Sequence, residues 1–412
     1  MIKTKEFNNG TILVYERLPH LRSVCLGLWL KAGSRYETAQ NSGISHFLEH
    51  MLFKGTKRRS ARDIADEFDG IGGILNGFTG KEATCYYGKT LENHFGKAID
   101  ILADMVHNSL LEPEMVERER KVIFEEMAMY ADSPEDYVHE MLELDSWPEN
   151  SLGYPIIGTK ESMTNISRDM LDIYSRTHLS PCNTVVSVAG NFDEAEMISV
   201  VEGYFGSRSK GEGVRQGEFV RPVFSSGTRT YHKDVEQAYI SIGFQSMGYD
   251  DPTRYAMMAA GNILGGSMSS RLFQTLREEK GLVYTIGAAN DTYAETGLFN
   301  IYAGTGTGEM DEAMECIRNE VSEMAKNGVT EEELDRTKEQ IKGNLIMGME
   351  NTNTRMSYMG KHMLLRGQVE SQDDIVEIVD SITMESIQDI TRKVLDWDKA
   401  AISILRSEEE DK

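Results

Sequence analysis

The sequence has few cysteines, no long apolar run and little positive charge, and each scarcity excludes a class of protein. Its 4 cysteines are scattered without a C-x-x-C pair, so neither a disulfide framework nor a thiolate zinc site is indicated. No stretch approaches the roughly 18 apolar residues of a membrane span. The start, Met1 to Phe7, lacks the apolar core of a signal peptide. These absences predict a cytoplasmic protein without a membrane span.

The charge balance argues against nucleic acid as a partner. The 43 Lys and Arg residues face 67 Asp and Glu residues, which gives a formal net charge of −24. A negative field of this size favours cationic ligands. The length of 412 residues exceeds one ordinary core and suits two domains of about 200 residues each. The composition therefore predicts a globular, two-domain protein.

The segment His46 to His50 carries the strongest chemical pattern in the chain, H-F-L-E-H. On a helix its two histidines lie one turn apart on the same face, as two ligands of one metal ion require. Glu49 lies close enough to hold a water without joining the ligands. Asn41 and Ser42 are expected to cap this helix. The pattern indicates a hydrolytic zinc site, and the alternative is a pair of partly exposed helical histidines.

A second helix is expected to complete the ligand set. Two histidines leave a catalytic zinc one protein ligand short, and a carboxylate from another helix commonly supplies it. An acidic helix is predicted over Glu114 to Tyr130, after Pro113. Glu119 and Glu126 lie seven residues apart on it, so one could bind metal and the other orient a ligand. Spacing does not choose among this helix's glutamates, and a solvated helix face is the alternative.

A glycine-rich hairpin follows the histidine segment. Strands are predicted over Ile74 to Phe78 and Ala83 to Thr90. Gly73 and Gly77 weaken a strand, and glycine there often marks the close approach of another backbone. An edge strand that accepts an extended substrate fits this pattern. A glycine-rich turn without a ligand is the alternative.

The second half of the chain repeats the pattern of the first, displaced by about 215 residues. Leu26 to Leu30 matches Ile240 to Phe244, and Ser167 to Ala189 matches Thr383 to Leu405. The repeat predicts an α+β fold of two homologous domains, each an antiparallel-rich β-sheet covered by helices.

The predicted domains are an N-terminal metal-binding domain, residues 1–212, and a homologous C-terminal domain, residues 213–412. At the place equivalent to the histidine helix, residues 262–267 contain no histidine. Only the first domain is therefore expected to hold this metal.

Four further residues are candidate site residues, although their sequence patterns are less specific. Asp136 and Glu140 lie at i,i+4 spacing on a predicted acidic helix, where they form either a subsite for a basic side chain or a solvated face. Arg277 and Tyr284 lie seven residues apart between a helix and a strand. By pattern alone they are ordinary surface residues.

With these residues laid out, the sequence resembles the pitrilysin/insulinase family of inverted-motif zinc peptidases. It is most similar to the two-domain members related to mitochondrial processing peptidase, over essentially the whole chain. The resemblance implies that His46, His50 and Glu126 bind Zn²⁺ and that Glu119 supports the site. With zinc held in this way, Glu49 is expected to take the proton of the bound water and pass it to the leaving amine.

The resemblance also implies where a peptide binds. The family's substrate-binding edge strand usually reads G-G-x-x-N-A-x-T, and this chain is similar but has Gly77 in place of the alanine. The expected substrate-binding residues of this strand are Gly73, Leu75, Asn76, Gly77 and Phe78. Asp136 and Glu140 match positions that contact a basic residue upstream of the cut.

Arg277 and Tyr284 match an arginine and a tyrosine that, in members of this family, reach the active site from a remote domain and assist the bound peptide carbonyl. A two-domain chain must obtain them from a partner, so the resemblance implies a clamshell homodimer, or a heterodimer with a paralogue. The expected function is a zinc-dependent endopeptidase that cleaves extended, basic peptides inside a chamber. The alternatives are a non-catalytic peptide-binding or scaffolding subunit and a chaperone-like chamber with a structural metal.

Overall fold

The computed structural model describes residues 1–210 and 220–408. Within these residues the strands are β1 (Lys3–Glu6), β2 (Ile12–Arg17), β3 (Ser23–Leu30), β4 (Ile74–Thr79), β5 (Thr84–Leu91), β6 (Thr184–Gly190), β7 (Gly227–His232), β8 (Ala238–Ser246), β9 (Val283–Thr292), β10 (Gly297–Thr305) and β11 (Ala401–Arg406). The predicted boundary between residues 212 and 213 lies outside the described residues.

Helices account for most of the remaining secondary structure. The α-helices are α1 (Ile44–Leu52), α2 (Ala61–Asp69), α3 (Phe95–Asn108), α4 (Pro113–Asp132), α5 (Pro134–Ser146), α6 (Lys160–Asn165), α7 (Arg168–His178), α8 (Glu194–Val201), α9 (Arg254–Gly265), α10 (Met310–Asn327), α11 (Glu331–Gly348), α12 (Thr352–Arg366), α13 (Gln372–Ser381) and α14 (Met384–Val394). A π-helical segment, Phe273–Glu279, precedes β9.

The chain forms two compact units, and each contains one sheet. The first unit comprises Met1–Met127, Tyr154–Phe219 and Met347–Ser371, and the second comprises Ala128–Gly153, Val220–Ile346 and Gln372–Lys412. The units are therefore not two uninterrupted segments. Helix α12, which follows most of the second sheet in sequence, belongs to the first unit, and helix α5 belongs to the second.

The first unit is built on a six-stranded sheet of order β1-β2-β6-β3-β5-β4. Strands β2 and β6 run parallel, and the other neighbours pair antiparallel. The apolar residues of β3 are buried on both faces. Leu26 and Leu28 pack in a cluster with Phe47 of α1, whereas Trp29 packs in a second cluster with Met356 of α12. Helices on both faces thus fix β3 at the centre and leave β4 at one edge.

The second unit repeats this topology. Its five-stranded sheet has the order β7-β11-β8-β10-β9, which is the order β2-β6-β3-β5-β4 of the first sheet with each strand replaced by its sequence equivalent. The single parallel pair, β7 with β11, also corresponds to β2 with β6. The predicted α+β fold with two similar, antiparallel-rich sheets is confirmed. Helix α9 follows β8 as α1 follows β3, and it contains no histidine.

None of the helices in the described ranges is both long and apolar enough to cross a membrane.

Candidate metal centre

Helix α1 presents two histidines on the side opposite its buried face. Phe47, Leu48 and Met51 are almost fully buried in the core of the first unit. This packing fixes the rotation of the helix about its axis, because turning it would expose these side chains to water. The rings of His46 and His50 lie 4.5 Å apart, centroid to centroid. The predicted helix is therefore present, and its two histidines are neighbours.

The expected capping of α1 by Asn41 and Ser42 is wrong. The N-cap residue is Gly43, in the left-handed conformation at φ +91°. The Glu37 carboxylate accepts hydrogen bonds from the backbone N–H groups of Gly43 at 2.7 Å and Ser45 at 2.9 Å. Burial raises the pKa of Glu37 to about 7, although these hydrogen bonds act in the opposite direction. A buried side chain from an earlier loop thus satisfies helix donors that local residues leave open.

Helix α4 brings one glutamate to the two histidines. Glu126 Oε2 lies 3.8 Å from His46 Nε2 and 3.6 Å from His50 Nε2. The three residues offer ligand atoms that all lie within 4.8 Å of one another. Ligands of a tetrahedral zinc ion at about 2.1 Å are separated by roughly 3.4 Å, so the set fits the ion with small side-chain movements. Glu125 is exposed to solvent.

The hydrogen bonds around His50 select the nitrogen that faces Glu126. His50 Nδ1 lies 2.9 Å from Glu119 Oε1, so Nδ1–H donates to the carboxylate and the Nε2 lone pair is left for a metal. Burial, with a smaller contribution from the neighbouring His50, lowers the pKa of His46 to about 3. His46 is therefore neutral at ordinary pH, which is the form that binds metal.

Glu49 lies beside the ligand set on the same helix. Its side chain is 8% exposed, and the hydroxyl of Thr79 donates a 2.6 Å hydrogen bond to Oε2. Burial raises the pKa of Glu49, against the effect of this bond. Its Oε1 faces Gly77, where an added Cβ would lie 3.3 Å from it. One oxygen is thus held by Thr79, while the other borders a gap that a glycine leaves.

Strand β4 is the edge strand that the glycine pattern predicted. Among the described residues it pairs with β5 and ends the sheet order. Ile74, Asn76 and Phe78 point to one exposed face, while Leu75 and Gly77 are half-buried on the other. Gly73, just before the strand, packs closely against the ring of Phe68, so that a Cβ there would clash. The outer edge of β4 is therefore open to an added strand.

The remaining predicted site residues belong to the second unit. Asp136 is exposed and Glu140 half-buried on α5. Arg277 lies in the π-helical segment with its guanidinium over the Phe273 ring, and Tyr284 of β9 is 66% exposed. The structure thus brings the predicted metal, base and edge-strand residues together in the first unit, and these four residues lie in the second.

Three residues of the site were missed from sequence. Glu37 caps α1, Thr79 holds Glu49, and Lys54 lies with Nζ 2.8 Å from Glu119 Oε2. Thr79 ends strand β4 and lies two residues after Gly77. Residues two apart on a strand share a face, so this spacing could have placed Thr79 beside the site. Glu37 and Lys54 lie in irregular segments without periodicity, and no local pattern identifies them.

Helix α1 carries two histidines and a buried glutamate in the H-x-x-E-H order that is typical of the inverted-motif zinc peptidases. The family profile described as "Insulinase (Peptidase family M16)" matches residues 12–160. A second profile, "Peptidase M16 inactive domain", matches residues 165–341. The chain is 40% identical over 403 residues to an uncharacterized zinc protease of Bacillus subtilis, and the match covers 97% of each chain. The chain belongs to the insulinase family of peptidases.

Solved structures support the fold. The chain superimposes on a protease from Helicobacter pylori with a TM-score of 0.90 at 20% identity, covering 98% of this chain and 99% of that one. It superimposes on a chain of complex III2 from Candida albicans with a TM-score of 0.86 at 21% identity, covering 98% and 96%. At these identities the likeness concerns the fold alone.

Proposed function

We propose that this chain is a zinc-dependent endopeptidase that cleaves extended peptides or unfolded segments. The observation that carries the proposal is the convergence of His46, His50 and Glu126, with the buried carboxylate of Glu49 on the same helix. The names of relatives as zinc proteases support both the metal and the reaction class. A purely structural site would gain nothing from an adjacent carboxylate outside the ligand set.

His46, His50 and Glu126 would hold the zinc ion, which when bound would supply Lewis acidity toward the scissile carbonyl and lower the pKa of the attacking water. Glu49 accepts the proton of that water at Oε1, because Thr79 already donates to Oε2. The same oxygen then returns the proton to the leaving amine. Glu119 keeps His50 in the tautomer that directs Nε2 to the ligand set.

The substrate binds as an extra strand on β4. Its backbone would hydrogen-bond to the open edge beside Asn76, and pockets along the strand would select side chains. The net charge of −24 favours basic peptides through the field of the whole chain. Asp136 and Glu140 are proposed to contact a basic residue upstream of the cut.

The proposed active form is a dimer of this chain with itself or with a paralogue. Arg277 and Tyr284 of a second copy would then assist the peptide carbonyl, as the family resemblance implies. The exposure of Tyr284 and Arg277 is compatible with such a role.

Mass-spectrometric mapping of cuts in a peptide library tests this function. We expect the purified chain to cut the library, a chelator to abolish the cuts, and added zinc to restore them. Glu49→Gln protein prepared in the same way excludes a contaminating peptidase. Peptide binding without any cut by zinc-loaded wild type would contradict the proposal and favour a non-catalytic peptide-binding subunit.

A further inference from the structure

A lysine outside the ligand set contacts the residue that orients His50. Lys54 Nζ lies 2.8 Å from Glu119 Oε2, and Oε1 of the same carboxylate lies 2.9 Å from His50 Nδ1. We propose that Lys54 is a positioning residue of the metal centre, which fixes the Glu119 carboxylate and, through it, the His50 imidazole. The inference rests on the metal site of the proposed function.

Hydrogen bonds hold the loop that carries Lys54, so the backbone position of the lysine is fixed. The hydroxyl of Thr56 donates to Asp104 Oδ2 at 2.7 Å, and Arg59 Nη1 lies 2.8 Å from the same oxygen. The Thr56 N–H donates to the Arg59 carbonyl at 2.7 Å. Thr56, Arg59 and Asp104 are all buried. Helix α3 thus holds the loop, and the loop aims Lys54 at Glu119 on α4.

Both oxygens of Glu119 therefore have a partner, and the two partners are different. Glu119 is 4% exposed, so water cannot substitute freely for a lost partner. Charge-assisted hydrogen bonds are shorter and stronger than neutral ones, and two of them on one carboxylate stop its rotation. Without the ammonium group, the carboxylate would be held by His50 alone and could turn with the ring. The ring would then no longer hold Nε2 toward Glu126.

Zinc affinity is the property that this arrangement controls. We expect Lys54→Met to raise the zinc dissociation constant about tenfold, at the lower end of the 10–100-fold typical of partners of metal ligands. The affinity is measured by competition with a chromophoric chelator, without substrate. Lys57→Met removes the same charge from an exposed position of the same loop and should leave the affinity unchanged. Lys54→Arg keeps the cation and should restore most of the affinity.

A double-mutant cycle with Glu119→Gln separates this role from a general effect on folding. Because Lys54 acts through Glu119, Lys54→Met should weaken zinc binding little further in the Glu119→Gln background. Wild-type affinity in the Lys54→Met protein, or equal and additive losses in both backgrounds, would overturn the inference. If Lys54→Met fails to fold, Lys54→Gln takes its place in the same cycle. A wild-type chain that binds zinc but cleaves no peptide would contradict the proposed function and leave this inference standing.

Discussion

Glu126 on α4 holds a carboxylate oxygen 3.8 Å from Nε2 of His46 on α1. This distance joins two helices that are far apart in sequence, and it completes a ligand set that neither helix offers alone. Its neighbour Glu125 on the same helix is exposed to solvent. The adjacent pair therefore allows a direct test of the ligand assignment, because one residue is a ligand in this account and the other is not.

We expect Glu126→Gln, and not Glu125→Gln, to lower zinc occupancy sharply. An amide is a far weaker zinc ligand than a carboxylate, so the loss should exceed the 10–100-fold typical of an outer partner. Metal analysis of both purified variants measures this. Equal zinc contents in the two proteins would refute the assignment of Glu126.

The stability of the metal-free protein should depend on Glu37. Its carboxyl pKa is raised from 4.5 to about 7 in the folded chain, so the folded state binds more protons between these pH values. The contribution of Glu37 to the free energy of unfolding is therefore fully present below pH 4.5. It is lost as the pH rises through about 7, and the loss amounts to roughly 3 kcal/mol. Glu37 also interacts electrostatically with the ionisable groups of Lys81 and Tyr174.

Glu37→Gln should therefore flatten this part of the pH profile. Denaturant unfolding of the chelated wild type and variant at pH 5 and pH 8 provides the comparison. The wild type should lose more stability than the variant between the two pH values. Parallel losses would show that Glu37 does not titrate in this window.

Gly77→Ala should slow the reaction without removing the metal. A Cβ at this position would lie 3.3 Å from Glu49 Oε1 and from the rings of Phe53 and Tyr86, which is tighter than ordinary contact. A displacement of the base by a few tenths of an ångström should lower kcat about threefold to tenfold. Gly96→Ala, where a Cβ on α3 meets nothing within 4 Å, is the matched control. Wild-type kcat in Gly77→Ala would mean that the gap beside Glu49 has no role.

Much of the first unit could be predicted from sequence because its signals are local. The helix that carries His46 and His50 and the long helix after Pro113 depend on neighbouring residues, and both are present. The choice of Glu126 came from the family resemblance, since spacing alone left several glutamates equivalent. The role of Glu37 could not be predicted because it lies in an irregular segment, 6 residues before Gly43, where no local pattern indicates that its side chain reaches the helix. The placement of α12 in the first unit and of α5 in the second could not be predicted either, because it depends on contacts between residues far apart in the chain.

An active site that is formed by two subunits should be detectable by complementation between inactive variants. Glu49→Gln and Arg277→Ala subunits, each inactive alone, should regain activity when mixed, because a mixed dimer contains one site with both native residues. With random exchange in a two-fold symmetric dimer, the mixture should reach about a quarter of wild-type activity. No recovery in heterodimers verified by mass spectrometry would contradict function in trans.

Parallel measurement of zinc content and peptide turnover in Glu49→Gln tests whether Glu49 is the general base of a zinc peptidase. The substitution removes the carboxylate that accepts the proton and leaves His46, His50 and Glu126 intact, so we expect full zinc content with turnover reduced by roughly 10²-fold to 10⁴-fold. Near wild-type turnover by the zinc-loaded variant would contradict the assignment of Glu49 as the general base.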